Sequence, residues 1–270
     1  MNVEAANRTE PVRVAAGPDG LNCLCSAPVD PGPNTPVLVA VHGVHRLAED
    51  YFDAFAPLVR ANDGLLLVPI FDRERFPDYQ RLGRPDRGRR ADLALLSLLP
   101  EALDLFGLND RPVYLFGHSG GGQFVHRFVM AHPRHVSRYV VSAAGWYTFP
   151  DDTHAYPWGT GGMLGSSTSF RSGDYLKVPG CVFIGTRDRR SGPNLRRSTA
   201  IDQQQGVTRH DRAYRWAATM NELAIDRGLS PPLSICEFRN AGHNFKGLVR
   251  NAGAHVAAWS FLTERAARWS

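Results

Sequence analysis

Near the middle of the 270-residue chain runs Val113-Tyr114-Leu115-Phe116-Gly117-His118-Ser119-Gly120-Gly121-Gly122. An apolar stretch enters Gly-x-Ser-x-Gly and leaves into a helical pattern. A nucleophilic serine needs this setting. The hydroxyl sits on a sharp strand-to-helix turn, and small neighbours let the backbone pass closely. The helix start adds free N–H groups and positive potential where an oxyanion would form. The competing reading is a phosphate loop or a plain turn; the buried strand before Ser119 and the helix after it favour the nucleophile. A second signal lies upstream, where the apolar run Val37–Val41 ends in His42-Gly43-Val44-His45.

On these two motifs the chain resembles the α/β-hydrolase superfamily, over roughly residues 35–265. The resemblance implies that Val44, after the His-Gly pair, and Gly120, after the nucleophile, supply the oxyanion-hole N–H groups. It makes His42 a structural histidine and leaves His45 to line the substrate pocket. The chain order there is serine, acid, histidine. Among the late histidines, His243 follows the apolar run 233–238 in a Gly-His turn and is the expected base. His255 falls in a helical pattern and His210 opens one. Asp188 ends the run Cys181–Gly185 through Gly-x-x-Asp. It therefore emerges at the same sheet edge as Ser119 and His243 and is the expected acid. Asp202 and Asp211 read as cap or surface carboxylates. HExxH is absent and no His–carboxylate cluster forms, so neither metal nor cofactor is expected.

The elements that must position these residues alternate along the chain. Strands are expected at 21–27, 37–41, 65–70, 112–116, 138–144, 180–185 and 233–238. Most are continuously apolar, as in strands covered on both faces. Helical patterns occupy 50–61, 91–106 (with a break or kink at Pro100), 121–131, 209–227 and 251–266. This alternation predicts a single α/β domain over 1–270 with a mostly parallel central sheet flanked by helices, the α/β-hydrolase fold. Residues 146–177 fit neither pattern. They are rich in Gly, Ser, Thr and aromatics, and are expected to form a short cap or lid. Within it Trp146, Tyr147, Trp158 and Phe170 are the expected substrate-gripping residues.

Composition closes off other classes. Charged residues make up 21% and the apolar set 43%, which fits neither a disordered chain nor a membrane protein. The apolar run 65–71 is far shorter than the roughly 20 residues of a spanning helix. Of the 31 basic residues only Lys177 and Lys246 are lysine. The cluster Arg81, Arg84, Arg87, Arg89 and Arg90 reads as a solvated loop, since no nucleic-acid motif accompanies it. Four scattered cysteines and an N-terminus without an apolar signal core suggest a reduced, cytoplasmic protein. The expected function is a serine esterase acting on a small-molecule carboxylic ester. Other acyl hydrolases (thioesterase, lactonase, peptidase) remain alternatives. The Gln-containing segment 198–212 is also similar to polyhydroxybutyrate-depolymerase-like and feruloyl-esterase-like bacterial members. A non-catalytic binding protein on the same fold is the rival from another class.

Overall fold

A computed structural model describes residues 11–18, 20–84, 86–162, 173–189 and 195–264. Its strands are β1 (Val12–Ala16), β2 (Leu21–Ser26), β3 (Val37–Val41), β4 (Leu65–Ile70), β5 (Val113–His118), β6 (Val136–Ser142), β7 (Gly180–Gly185) and β8 (Leu233–Phe238). They form one sheet in the order β1-β2-β4-β3-β5-β6-β7-β8. β1 pairs β2, and β2 pairs β4, antiparallel; every later pairing is parallel. This is the expected α/β-hydrolase fold.

The apolar runs become central strands because both faces are covered. In β3, Val37, Val39 and Val41 join one core while Leu38 and Ala40 join the other. β4 divides the same way, with Leu65 and Leu67 opposite Leu66 and Val68. Side chains alternate across a strand, so a continuous apolar run fills two cores at once. Each such burial stabilises by about 1.5–3 kcal/mol. The first core holds helices α2 (Ala91–Leu105), α3 (Gly120–Ala131) and α5 (Arg209–Asp226). The second holds α1 (Ala48–Ala61), α6 (Phe245–Ala252) and α7 (Ala254–Thr263). A short α4 (Thr199–Gln205) precedes α5. Cys23 and Cys25 share the first core, as their spacing in a strand requires, and all four cysteines are free.

Three elements differ from expectation. β1 is an added antiparallel edge strand with three of its five residues exposed, so its apolar signal is weak. α4 is carried by Ser198, whose hydroxyl accepts the Ile201 N–H, rather than by an apolar stripe. The helix expected at 251–266 starts only at Ala254, with a separate α6 before it, because Gly253 takes φ 63° between them. α2 continues through Pro100 to Leu105. No described helix is long and apolar enough to cross a membrane.

The described parts of 146–177 are fastened to the body. Arg127 Nε donates to Thr148 Oγ1 at 2.8 Å, and Trp216 Nε1 donates to the Thr148 carbonyl at 2.9 Å. Gln205 grips Tyr147 by both its N–H and its carbonyl, each at 2.9 Å. Farther along, Phe149 N–H bonds the Trp158 carbonyl and Tyr156 N–H the Gly161 carbonyl, knitting the loop to itself.

Candidate active site

Ser119 sits between β5 and α3 with φ 55° and ψ −112°. That backbone is strained for a residue with a Cβ, at a cost of about 1–3 kcal/mol. Its surroundings force it. A Cβ on Gly121 would run into the Val41 carbonyl oxygen, and one on Gly117 into the Gly121 carbonyl. Only glycine at both positions lets α3 begin so close to β3 and β5. The turn is locked by Ser119 N–H to Ser142 O at 2.8 Å and Gln123 N–H to Ser119 O at 3.0 Å.

His243 lies in the loop between β8 and α6, and Asp188 in the turn after β7. His243 Nε2 is 3.1 Å from Ser119 Oγ, and His243 Nδ1 is 3.0 Å from Asp188 Oδ2. Asp188 is 4% exposed. Its other oxygen, Oδ1, faces Arg209 Nη1 at 3.5 Å, and its carbonyl accepts His210 N–H at 3.4 Å. The start of α5 thus holds the carboxylate from behind. All three expected residues meet in one hydrogen-bonded line.

His118, inside the Gly-x-Ser-x-Gly motif, was not singled out by sequence. Its Nε2 donates to the His243 carbonyl at 2.9 Å, which makes Nδ1 the acceptor for the Ser142 hydroxyl at 2.9 Å. Burial, then the neighbouring His243, holds its pKa well below the ordinary histidine value. A neutral His118 therefore anchors the backbone of His243. Arg209 was also missed; it is 5% exposed and borders the same cavity. Only its position at the start of an amphipathic helix marked it.

Val44 and Gly120 face each other across the serine. A Cβ built on Gly120 would lie 3.1 Å from Val44 N. Neither amide donates a hydrogen bond among the described residues. The turn carrying Val44 is braced three ways. Tyr51 Oη accepts Gly43 N–H at 3.0 Å, and Tyr79 OH donates to the His42 carbonyl at 2.8 Å. His42 Nε2 accepts Phe71 N–H at 3.1 Å, so its Nδ1–H donates to the Gly43 carbonyl at 3.0 Å. Burial drives the His42 pKa down to about 4. His42 is structural, as expected.

A cavity of about 400 Å³ opens over Ser119 and His243, bordered by His45, Leu47, Tyr51, Gln123 and Phe245. His45 is thus at the rim of the space over the serine. The described aromatics of 146–177 are not among the residues that line it. Tyr147 is fully buried, stacked on Trp216 at 4.8 Å. Trp146 is 4% exposed, packed under the Arg127 guanidinium at 4.4 Å. Trp158 is half-buried beside Trp146. Their apolar area is spent on fastening the segment to the body rather than on the cavity. Phe170 lies outside the described residues. Among the described residues, no group of three or more His, Cys, Asp or Glu is placed to hold a metal.

No family model matches the sequence, and no curated protein matches it. Solved structures do. Poly(aspartic acid) hydrolase-1 from Sphingomonas sp. KT-1 is 25% identical with a TM-score of 0.78, covering 92% of this chain and 100% of that one. LpqC, a poly(3-hydroxybutyrate) depolymerase from Bordetella parapertussis, is 27% identical with a TM-score of 0.75, covering 91% of this chain and 84% of that one. The thermophilic carboxylesterase EstE1, cloned from a metagenomic library, shares the fold at 14% identity, with a TM-score of 0.60 over 96% of this chain and 91% of that one. The first two likenesses cover more than nine-tenths of the chain and carry sequence as well as backbone, and by them the chain belongs to the α/β-hydrolase superfamily.

Proposed function

We propose that the protein is a serine hydrolase that cleaves carboxylic esters through an acyl-enzyme. The observation that carries this reading is the unbroken line from Ser119 Oγ through His243 to Asp188 at the floor of an open cavity. His243 Nε2 takes the hydroxyl proton as Ser119 Oγ attacks the ester carbonyl. The Val44 and Gly120 N–H groups receive the oxyanion, each worth about 3 kcal/mol. His243 then protonates the leaving alkoxide. Next it draws a proton from water, which attacks the acyl-enzyme carbonyl and releases the acid. Asp188 fixes the imidazole tautomer and balances the transient imidazolium, and Arg209 keeps the carboxylate in place. An ester is favoured over an amide because an alcohol leaves more readily than an amine. The similarity to a polyester depolymerase supports the same bond.

The test is labelling with a fluorophosphonate together with hydrolysis of p-nitrophenyl butyrate. A covalent adduct should form on Ser119. Ser119→Ala, His243→Ala and Asp188→Asn should each lower turnover by about 10⁴-fold or more with unchanged circular dichroism. A folded protein that takes no label and hydrolyses no ester overturns the proposal.

A further inference from the structure

The arginine cluster singled out in the sequence divides in the fold. Arg84 and Arg87 both turn to Asp78, at 2.6 and 3.7 Å, and Arg90 pairs with Asp92 at 2.6 Å. Arg81 turns the other way. Its guanidinium carbon lies 5.6 Å from the ring centre of Trp146, where Arg127 sits at 4.4 Å and Arg196 at 5.9 Å. Arg196 also lies 5.9 Å from Trp158. Three cations thus surround one indole, and none of the three has a carboxylate partner among the described residues.

The sequence makes this shortage general. Residues 111–150, 153–173 and 189–201, which carry most of the cage, contain no Asp or Glu. The cage also holds unused donors. Arg81 Nε, Arg127 Nη2 and Trp158 Nε1 are buried with no hydrogen-bond acceptor. The side chains of Arg81 and Arg196 make no hydrogen bond among the described residues. Buried guanidinium groups and unpaired N–H donors are costly unless an anion meets them. Stacking on tryptophan offsets only part of that cost. Mutual repulsion with Arg196 helps to lower the affinity of Arg81 for its proton, after burial. Arg196 is exposed and Arg81 and Trp158 are half-buried, so the cage has a solvent-facing mouth; Arg127 is its floor.

The cage backs directly onto the cavity. Arg127 Nη1 lies 3.3 Å from Gln123 Oε1, and Gln123 borders the space over Ser119. Gly145, next to Trp146, borders it too. We infer that Arg81, Arg196 and Arg127, gathered on Trp146, form an anion subsite that receives a carboxylate carried by the substrate beyond the scissile bond. This deepens the proposed hydrolase reading and rests on it: the substrate class becomes acyl compounds bearing a remote negative charge. A guanidinium pair suits a carboxylate because its fork matches two oxygens.

The test compares mono-p-nitrophenyl esters of succinate, glutarate and adipate with neutral p-nitrophenyl esters of equal length. The parent protein should favour at least one anionic ester by about 10-fold in kcat/KM, and 0.5 M NaCl should reduce that preference. The double variant Arg81→Gln/Arg196→Gln should lose the preference through KM while neutral esters stay within twofold. Equal handling of charged and neutral esters by the parent overturns the inference, as does a variant that loses both alike. Glutarate is also titrated against the tryptophan fluorescence of Ser119→Ala, which needs no turnover. Saturable quenching that vanishes in the arginine variant supports the subsite even if neutral esters are inert, an outcome that would instead sink the hydrolase reading. Tighter binding of inorganic phosphate than of glutarate would assign the cage to phosphate and overturn the carboxylate.

Discussion

His42 should make the protein acid-labile in a way that one substitution removes. The imidazole is fully buried and bridges Phe71 N–H and the Gly43 carbonyl, a task only its neutral form performs. In the unfolded chain it takes a proton near pH 6.5; in the folded chain it resists until about 4, because burial and then the Arg46 charge oppose the cation. Between those values only the unfolded state holds the proton. Stability is therefore undiminished above pH 6.5 and falls as pH drops toward 4, by about 3 kcal/mol in all. From pH 7 to pH 5 the loss is about 2 kcal/mol. With a urea slope of about 3 kcal/mol per molar, that moves the midpoint by about 0.7 M. His42→Gln stays neutral throughout this range. It should be less stable at pH 7, yet lose about 2 kcal/mol less than the parent on going to pH 5. His118 and His126, also held neutral by burial, leave a residual slope in both proteins. Urea melts of the two at pH 7 and pH 5 give the comparison. Parallel pH slopes would refute the argument, because the proton would then be taken up elsewhere.

Gly120→Ala should disable the proposed oxyanion donors without unfolding the protein. Its Cβ would lie 2.7 Å from both Val44 Cγ1 and Tyr79 Oη, forcing the Val44 turn away from the serine. Turnover of p-nitrophenyl butyrate should fall about 100-fold with KM little changed; a loss under fivefold speaks against Val44 as a donor. Trp216→Ala should act in the opposite sense, on stability alone. It removes the stack under Tyr147 and the bond to the Thr148 carbonyl, at about 3–5 kcal/mol. Calorimetry should find the melting temperature lowered by about 10 °C, with kcat/KM within threefold at 20 °C.

The site was legible in the sequence wherever a residue type and its strand end coincide. Ser119, Asp188 and His243 each follow an apolar run, and a parallel sheet brings the carboxyl ends of its strands to one edge. His118 was hidden because its role depends on the main chain of a residue 125 positions later. Arg209 was hidden because a helix start normally signals capping, and here the capping falls to Thr208 and Asp211. The aromatics of 146–177 could not be placed from sequence for a physical reason: tryptophan and tyrosine have the same composition signature in a pocket wall as in a core, and it is the stack on Trp216 and the arginine contacts that locate Tyr147 and Trp146. β1 escaped because an edge strand needs one covered face, which leaves little apolar pattern to read.

The placement of β8 ties the chemistry to the order in which the chain leaves the ribosome. His243 lies beyond the last strand, and that strand pairs only with β7 at the rim of the sheet. Ser119 precedes its proposed base by 124 residues, so a chain that has not yet made β8 carries the serine turn without the imidazole. On the proposed mechanism the serine is therefore inert until His243 has been added. The same geometry runs backwards on heating. Rim strands open at lower free energy than central ones, so lifting β8 withdraws the imidazole while the nucleophile turn is still intact. Loss of turnover should then precede loss of the central sheet, and a cooled sample should recover quickly, because only one strand has to return.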